Sequence, residues 1–342
     1  MNADNTEQLI RDAFAAEADR AVDSRTVLAE LRRAGRPRRP RMGLLAAASA
    51  VVVVVVVAVG AVVLPKASNS GAPSAGEAPA KDQNVLLVGL DESENADAIM
   101  LAHLDADGSA NVLSLPRDSW VEVPDRGRER LGQVYPLHGI DPLLATVHTL
   151  TGVRPDHYAL VEMAGFGGLA SAVGGVRVCL RQPSRDPRSG ASFPAGPQVL
   201  SGKAALAFVR QRTNLDDGDL DRIVRQQAFL RAVATAVRDD PNGLAALLAI
   251  VRHHVTPDPG WDIVGLAEQL QALRLDALRF ETIPVADETH LVPNAGAVLL
   301  VNPAAVRAHV EDVFGPDHAA TADPGAGASR GSLPAGQQPC VD

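Results

Sequence analysis

Arginines and aspartates alternate densely between Val209 and Leu230, in the stretch VRQRTNLDDGDLDRIVRQQAFL. Guanidinium groups bind phosphate oxygens in pairs and stay charged at any working pH, so a cluster of them suits a diphosphate. The alternative is a solvated helix face with salt bridges, because acids and arginines alternate here. The charged residues of this stretch are Arg210, Arg212, Arg222, Arg225, Asp216, Asp217, Asp219 and Asp221.

The spacing of these residues predicts a short extended segment followed by a helix. Arg210 and Arg212 are two residues apart, so on an extended segment both project to one side. From Asp219 onward, apolar residues recur every three or four positions, and Asp219 and Arg222 fall on a different face from them. We therefore expect two arginine pairs, Arg210 with Arg212 and Arg222 with Arg225, to converge at this junction.

Short strands and helices alternate around this stretch, which predicts an α/β or layered α/β/α domain. The predicted strands are 84–90, Ala98–Asp105, Ala110–Leu115, His157–Met163, Gly175–Leu180 and Leu278–Val285. One predicted helix has Asp141 as its N-cap and Pro142 at its first position, and it ends at Gly152. The other predicted helices are Gly165–Val173, Leu244–Val255, Ile263–Leu275 and Pro303–Phe314.

A membrane anchor is predicted near the N-terminus. Gly43–Leu64 contains 22 residues without a charge, which is long enough to cross a bilayer as a helix. Six arginines between Arg32 and Arg41 precede it, so the positive-inside rule places the N-terminus in the cytoplasm. A cleaved signal peptide is the alternative, but the preceding segment and the apolar core are both long for one.

These features predict five segments in the chain. They are a cytoplasmic tail (1–41), a transmembrane helix (42–64), a flexible linker rich in Ala, Ser, Gly and Pro (65–83), an extracytoplasmic domain (84–315) and a mostly disordered tail (316–342). A single-pass membrane protein with its C-terminal domain outside the cell is therefore expected.

The overall charge argues against general binding to nucleic acid. The net charge of the chain is −9, and nine arginines lie within the first 41 residues, so the rest is more acidic still. An acidic domain does not attract the phosphate backbone of DNA or RNA. The arginine cluster near Arg210 is a local feature in an acidic protein.

Two cysteines, Cys179 and Cys340, both follow the predicted anchor. An even number of cysteines outside the cytoplasm permits a disulfide, which would attach the C-terminal tail to the domain. Two unrelated free thiols are the alternative.

Six motifs in this order resemble the LytR-CpsA-Psr family, together with the predicted tail, anchor and outer domain. The motifs are NVLLVGLD, ADAIMLAHLD, LSLPRDSWVEVP, GGVRVCL, LSGKAALAFVRQR and DLDRIVRQQAFL. The resemblance covers about Asn84 to Phe314 and implies a layered α-β-α domain with a central mixed sheet.

The resemblance implies transfer of a glycopolymer from a polyprenyl diphosphate to the muramic acid C6 hydroxyl of peptidoglycan, with diphosphate cleavage as a side activity. Such a reaction needs fixed positive charge and alignment rather than a covalent nucleophile. The resemblance implies that the phosphates are bound by Arg117, Arg210, Arg212 and Arg222, and that Gln226 provides the amide contact of the family. Asp219 would act as a base or hold an arginine in place.

The resemblance also implies a divalent metal near Asp91 and Asp97, and carboxylates of this kind suit Mg²⁺ or Mn²⁺ that bridges phosphates. The chain departs from the family at two places. Asn95 stands where the family usually has arginine, and Arg130, Leu131 and Gly132 stand where it often has Lys-Ile-Asn. Arg130 would then replace a lysine at the diphosphate, and Arg130 or Arg128 would compensate for the arginine.

Two other functions stay open on the sequence. The altered loop at Asn95 is compatible with a non-catalytic module that binds polyprenyl diphosphate. The arginine-rich N-terminal tail is compatible with an envelope regulator of the transcriptional attenuator type, although membrane topology also explains those arginines. The partners expected for the transferase are a polyprenyl-diphosphate-linked glycopolymer, peptidoglycan and membrane lipid.

Overall fold

The computed structural model describes residues 81–239, 250, 253–261, 273–315 and 340–342. The strands are β1 (Gln83–Leu90), β2 (Ala96–Leu104), β3 (Ala110–Ser114), β4 (Ser119–Val123), β5 (Gly127–Arg130), β6 (His157–Glu162), β7 (Val176–Leu180), β8 (Ser184–Asp186), β9 (Ala191–Phe193), β10 (Gly196–Leu200), β11 (Val255–Pro257), β12 (Leu278–Thr282), β13 (Asp287–Val292) and β14 (Gly296–Leu300). The α-helices are α1 (Leu131–His138), α2 (Ile140–Thr151), α3 (Gly165–Ala172), α4 (Gly202–Arg210), α5 (Asp219–Asp239) and α6 (Pro303–Phe314), and Leu275–Ala277 is a short 3-10 helix.

A six-stranded mixed sheet forms the centre, in the order β11-β6-β1-β2-β3-β12. Strand β1 pairs with β2 in antiparallel and with β6 in parallel orientation. Strand β12, the last of the chain to enter this sheet, pairs in parallel with β3. Strands β2 and β3 are antiparallel, so β6, β1, β3 and β12 all run in the same direction. The loops that follow β1 and β3, after Leu90 and Ser114, therefore leave the sheet at the same end.

Both faces of the central sheet are buried, which produces three layers. Alternate residues of β1 enter different cores, because successive side chains of a strand point to opposite faces. Val85 and Leu87 pack with α3, α4 and α5, whereas Leu86 and Val88 pack with α1, α2 and α6. The predicted layered α-β-α architecture with a mixed sheet is confirmed.

Smaller sheets surround the centre. One has the order β13-β14-β4-β5, and the pairs β7–β10 and β8–β9 form two more. Of the strands in these smaller sheets, β7 was predicted from the sequence and the others were not. Strand β13 is exposed along its length, so it lacks the alternation of apolar and polar residues that marks a half-buried strand.

Several predicted boundaries were wrong. Helix α2 begins at Ile140 after Gly139, so Asp141 lies inside the helix rather than capping it, although Gly152 ends it in the left-handed conformation as predicted. Arg210 is the last residue of α4 rather than part of an extended segment, because Ala205, Phe208 and Val209 form a buried helical face before it. Strand β12 ends at Thr282, short of the predicted Val285.

Other predictions fall partly or wholly outside the described residues. These are the tail 1–41, the anchor 42–64, most of the linker 65–83, most of the helices Leu244–Val255 and Ile263–Leu275, and most of the tail 316–342. Val255 itself begins strand β11 rather than ending a helix. Within the described ranges, no helix has the length and hydropathy needed to cross a bilayer.

The predicted bond between Cys179 and Cys340 is present, with their Cα atoms 4.3 Å apart. It brings the end of the chain to strand β7, where Val341 forms a parallel bridge with Leu180. The C-terminal residues therefore belong to the folded domain.

Candidate active site

Arg117 lies at the centre of the candidate site, in the loop that follows β3. Its Nη1 donates to Asp97 Oδ1, and its Nε lies 3.4 Å from Asp118 Oδ2 and 3.5 Å from Asp219 Oδ2. Burial opposes the positive charge, but these three carboxylates outweigh it and raise the pKa of Arg117. One guanidinium therefore links strand β2, the loop after β3 and the start of α5.

Gly132 at the start of α1 fixes the backbone of Arg117. The Gly132 N–H donates to the Arg117 carbonyl at 2.7 Å. A Cβ atom at this position would lie 2.8 Å from the Ala96 carbonyl oxygen and 2.9 Å from Arg117 Cβ. Glycine therefore lets α1 approach the site closely, which gives a physical reason for the departure from asparagine at this position.

Arg222 lies three residues after Asp219, the first residue of α5. Its Nη2 donates to Asp219 Oδ2 at 2.9 Å, and only 2% of its surface is exposed. Its Nε and Nη1 are buried and have no hydrogen-bond partner among the described residues. A buried guanidinium with unused donors is costly unless an anion pairs with it, so Arg222 indicates a ligand.

Arg212 completes the pairing of Asp97. Arg212 Nη2 donates to Asp97 Oδ1 at 3.1 Å, so this oxygen accepts from both Arg117 and Arg212. No described residue donates to the second oxygen, Oδ2. Asp97 therefore holds two arginines together and keeps one oxygen for another partner.

Arg210 is paired differently, with a residue that the sequence analysis missed. Its two terminal nitrogens bind both carboxylate oxygens of Glu92 at 2.6 and 2.9 Å. Glu92 is exposed, with 65% of its side chain accessible. No spacing pattern in the sequence marks Glu92, because the contact joins a loop to the end of a helix 118 residues away.

Asp91 turns the loop between β1 and β2. Its Oδ1 accepts from the Ser93 N–H at 2.8 Å and the Asn95 N–H at 2.9 Å, and the Asn95 amide lies 3.1 Å from Oδ2. Gln133 donates to the Asn95 side chain at 3.0 Å. Asn95 therefore closes this loop and does not extend toward the arginines as an arginine would.

Arg130 lies beside Arg117 and lines a cavity of about 330 Å³ together with Arg117 and Asp118. It donates to Asp118 Oδ1 at 2.9 Å, to the Ala297 carbonyl at 2.8 Å and to the Ala295 carbonyl. Arg128 points elsewhere and pairs with Glu122 at 3.5 Å. Of these two arginines, Arg130 is the one that joins the site.

Burial and the neighbouring arginines act differently on Asp118 and Asp219. Burial raises the pKa of Asp118, although Arg117 opposes the shift, and the neighbouring Asp219 raises it further. Burial acts in the same direction on Asp219, but Arg222 and Arg117 outweigh it and lower the pKa of Asp219. The pKa values of these two carboxyl groups are therefore shifted in opposite directions within one site.

Two predicted residues lie behind the site. Gln226 is buried and its amide lies 3.4 Å from the Val209 carbonyl, so it packs against the end of α4. Arg225 does not converge with the other arginines as predicted. It points into a buried network around Gln211, because neighbouring elements of the fold supply acceptors there.

Asp186 positions the backbone of Arg212. It is 1% exposed, and its Oδ2 accepts from the Arg212 N–H at 3.1 Å and the Thr213 N–H at 3.4 Å. Burial would raise the pKa of Asp186, but hydrogen bonds from Thr213, Arg212 and Arg188 outweigh it and hold the pKa well below its ordinary value. Asp186 therefore stabilises the fold as a carboxylate.

We expect Asp186→Asn to lower the free energy of unfolding at pH 7 by about 1–3 kcal/mol, since an amide nitrogen replaces an acceptor. A carboxyl group whose pKa is lowered by folding stabilises the folded state at pH values above its pKa in the unfolded chain, about 3.9, and this stabilisation is lost as the pH falls. Denaturation of native and variant proteins should therefore show a larger difference in free energy of unfolding at pH 7 than at pH 3. An equal difference at both pH values would contradict this role. Exposed Asp239→Asn is the control.

Comparison with known proteins gives a consistent result. A family model described as the LytR_cpsA_psr family matches residues 60–307. The chain is 36% identical over 263 residues to the "Cell wall biosynthesis protein LcpA" of Corynebacterium glutamicum, covering 68% of this chain and 51% of that protein. It is 29% identical to the "Polyisoprenyl-teichoic acid--peptidoglycan teichoic acid transferase TagU" of Bacillus cereus, covering 56% of this chain and 67% of that protein.

Solved structures share the fold. The "LytR-Csp2A-Psr enzyme from Actinomyces oris" matches with a TM-score of 0.57 and 25% identity, covering 69% of this chain and 91% of that one. The structure "TagT bound to LI-WTA" matches with a TM-score of 0.54 and 22% identity, covering 71% and 94%. The chain spans about half the length of the two Corynebacterium relatives, 51% and 47%.

Proposed function

Because this chain belongs to the LytR-CpsA-Psr family, we propose that it transfers a glycopolymer from a polyprenyl diphosphate to peptidoglycan, at the muramic acid C6 hydroxyl. The observation that carries the proposal is Arg222, whose buried guanidinium has two N–H groups without a partner among the described residues. The names of the relatives support the reaction class, since TagU is called a peptidoglycan teichoic acid transferase.

The arginines supply fixed positive charge where the reaction needs it. Cleavage of a diphosphate spreads negative charge over the transferred phosphoryl group and the leaving phosphate. Arg117, Arg212 and Arg222 are already linked by Asp97 and Asp219, so little reorganisation is needed when the diphosphate binds. Asp219 serves to hold Arg222 and Arg117, because its lowered pKa makes it a weak base.

The proposal includes Mg²⁺ or Mn²⁺, held by Asp97 and Asp91 together with the phosphates of the substrate. No group of three His, Cys, Asp or Glu side chains able to hold a metal occurs in the described part of the chain. Two carboxylates fit Mg²⁺, which commonly binds one or two carboxylates plus substrate phosphates. The free Oδ2 of Asp97 and the less occupied Oδ2 of Asp91 are the available donors. Such a metal would neutralise developing charge on the phosphate oxygens.

The location is also part of the proposal. The predicted helix 42–64 would anchor the domain at the outer face of the membrane, and the linker 65–83 would keep it near a lipid-linked substrate. Tethering raises the effective concentration of such a partner. A pyrophosphatase side activity would follow when water replaces the peptidoglycan hydroxyl.

Phosphate release from a polyprenyl diphosphate tests the proposed chemistry, with the full chain in detergent and Mg²⁺ or Mn²⁺. We expect Arg210→Ala to lower the rate about 10²-fold, because one phosphate contact is lost. Asp97→Ala and a metal chelator should each reduce it as well. Arg238→Ala is the control, since Arg238 is exposed at the far end of α5 and pairs with Asp239.

An unchanged rate in Arg210→Ala would contradict the assigned site. Lipid binding without any phosphate release by the native chain would instead favour the non-catalytic binding module. Loss of activity in Arg238→Ala to the same degree would mean that the effect of Arg210→Ala is not specific to the site.

A further inference from the structure

Arg225 is a buried arginine close to the proposed site that contacts no part of it directly. Its side chain is 0% exposed. Nη1 donates to Gln211 Oε1 at 2.7 Å, Nη2 donates to Ser184 Oγ at 2.8 Å, and Nε donates to the Asp342 main-chain carbonyl. The guanidinium also lies 5.0 Å from the centre of the Phe208 ring. All three of its nitrogens are occupied by the protein, so Arg225 is not a phosphate ligand.

Gln211 connects Arg225 to the site, because it lies between Arg210 and Arg212. Gln211 is 0% exposed, and its Nε2 donates to Ser184 Oγ at 2.6 Å and to the Thr213 carbonyl at 3.0 Å. Its backbone is extended, with φ −60° and ψ 138°. Gln211 directly follows Arg210, the last residue of α4, and directly precedes Arg212. Holding the Gln211 side chain inward therefore fixes the backbone between the two arginines that contact Glu92 and Asp97.

The acceptor for Arg225 Nε comes from the C-terminal end of the chain. Residues 340–342 follow β7: the Val341 N–H donates to the Cys179 carbonyl at 2.9 Å, and the Arg181 N–H donates to the Val341 carbonyl at 2.8 Å. The disulfide between Cys179 and Cys340 fixes this segment covalently. The tail is thus held in the position where the Asp342 carbonyl meets Arg225.

We propose that Arg225 is a positioning residue for diphosphate binding, which couples the C-terminal tail through Gln211 to the orientation of Arg210 and Arg212. This inference rests on the proposed function for the identity of the ligand. A buried charge requires a complete set of acceptors, and these come from β8, Gln211 and the tail together. Losing any one of them should loosen the segment that carries the two outer arginines.

The competing interpretation is that Arg225 only stabilises the core. Arg231 provides a matched control on the same helix. It is also buried, it lies 5.6 Å from the Phe280 ring, and Nη2 donates to the Leu278 carbonyl at 3.2 Å. Burial lowers the pKa of both Arg225 and Arg231 to about 10. Its contacts with Phe280 and Leu278 are on β12, away from Gln211.

The test compares Arg225→Lys with Arg231→Lys in the full chain. Lysine keeps the charge but cannot bridge Gln211, Ser184 and Asp342 at once. We expect similar losses of Tm in both variants, but a Kd for inorganic diphosphate at least about 10-fold higher only in Arg225→Lys, with KM for polyprenyl diphosphate rising in parallel. A native Kd for inorganic diphosphate in Arg225→Lys, or an equal increase of this Kd in the two variants, would overturn the proposal.

A milder variant and a coupling measurement complete the test. Ser184→Ala removes the hydroxyl that both Arg225 and Gln211 contact, so the Kd should rise about 3-fold even if Arg225→Lys folds poorly. In an Arg212→Ala background the effect of Arg225→Lys on Kd should shrink, because both changes act on the same contact. Additive effects in that background, or a native Kd in Ser184→Ala, would contradict coupling.

The binding measurement also separates this inference from the proposed function. If the native chain binds inorganic diphosphate but releases no phosphate from polyprenyl diphosphate, the transferase proposal fails and the positioning role is still tested by Kd. If turnover is present but the Kd is insensitive to Arg225→Lys, only the positioning role fails.

Discussion

Arg222→Met is expected to lower kcat about 10²- to 10³-fold, which is the usual cost of removing one preorganised donor from a site that stabilises developing negative charge. Arg222 is 2% exposed and two of its N–H groups have no partner in the described residues, so its donors are reserved for a ligand. Methionine fills similar space without the charge. Turnover of polyprenyl diphosphate by the full chain measures the effect.

The stability of the same variant should change little. Burial lowers the pKa of Arg222, so the fold bears a cost for holding this charge. Asp219 keeps Arg117 at 3.5 Å, so it is not left as an isolated buried charge. A Tm near native with activity lost would identify a functional residue, and near-native kcat in Arg222→Met would contradict the assignment.

Replacing both cysteines, Cys179→Ser with Cys340→Ser, is expected to produce the largest loss of stability. The bond closes a loop with a sequence separation of 161, and the chain-entropy model gives about 5 kcal/mol for a loop of this size. For a domain of this size that corresponds to a Tm lower by about 10 °C or more. Thermal unfolding of native and variant proteins, each with and without reductant, measures it.

The reductant supplies the control for this experiment. Reduction should lower the Tm of the native protein toward that of the double variant and leave the double variant itself unchanged. Equal Tm values for oxidised native and double variant would show that the bond contributes little. Because the tail supplies an acceptor to Arg225, weaker binding of inorganic diphosphate should accompany the lower Tm.

The sequence predicted the chemical groups of the site better than their directions. Arg117, Arg212 and Arg222 do meet, because Arg117 follows the predicted strand Ala110–Leu115 and the apolar period after Asp219 indicated the helix that carries Arg222. Arg225 was misassigned since it follows Arg222 by three residues, and helical spacing alone does not reveal the acceptors that a distant tail provides.

Contacts between distant parts of the chain explain the rest of what the sequence missed. Glu92 pairs with Arg210 across 118 residues, and burial and the neighbouring Asp219 raise the pKa of Asp118. Neither property is encoded in local spacing. Strand β13 was missed because its exposed face removes the alternating pattern, whereas β1 was found because burial on both faces makes it continuously apolar.

The transferase proposal is tested most directly by supplying the full chain with a polyprenyl-diphosphate-linked glycan and peptidoglycan. We predict a phosphodiester between the glycan and the muramic acid C6 hydroxyl, formed in step with release of polyprenyl phosphate, and absent with Arg222→Met. Release of phosphate with no phosphodiester would limit the activity to hydrolysis. No product from native protein that binds the lipid substrate would contradict a transferase and favour the binding module.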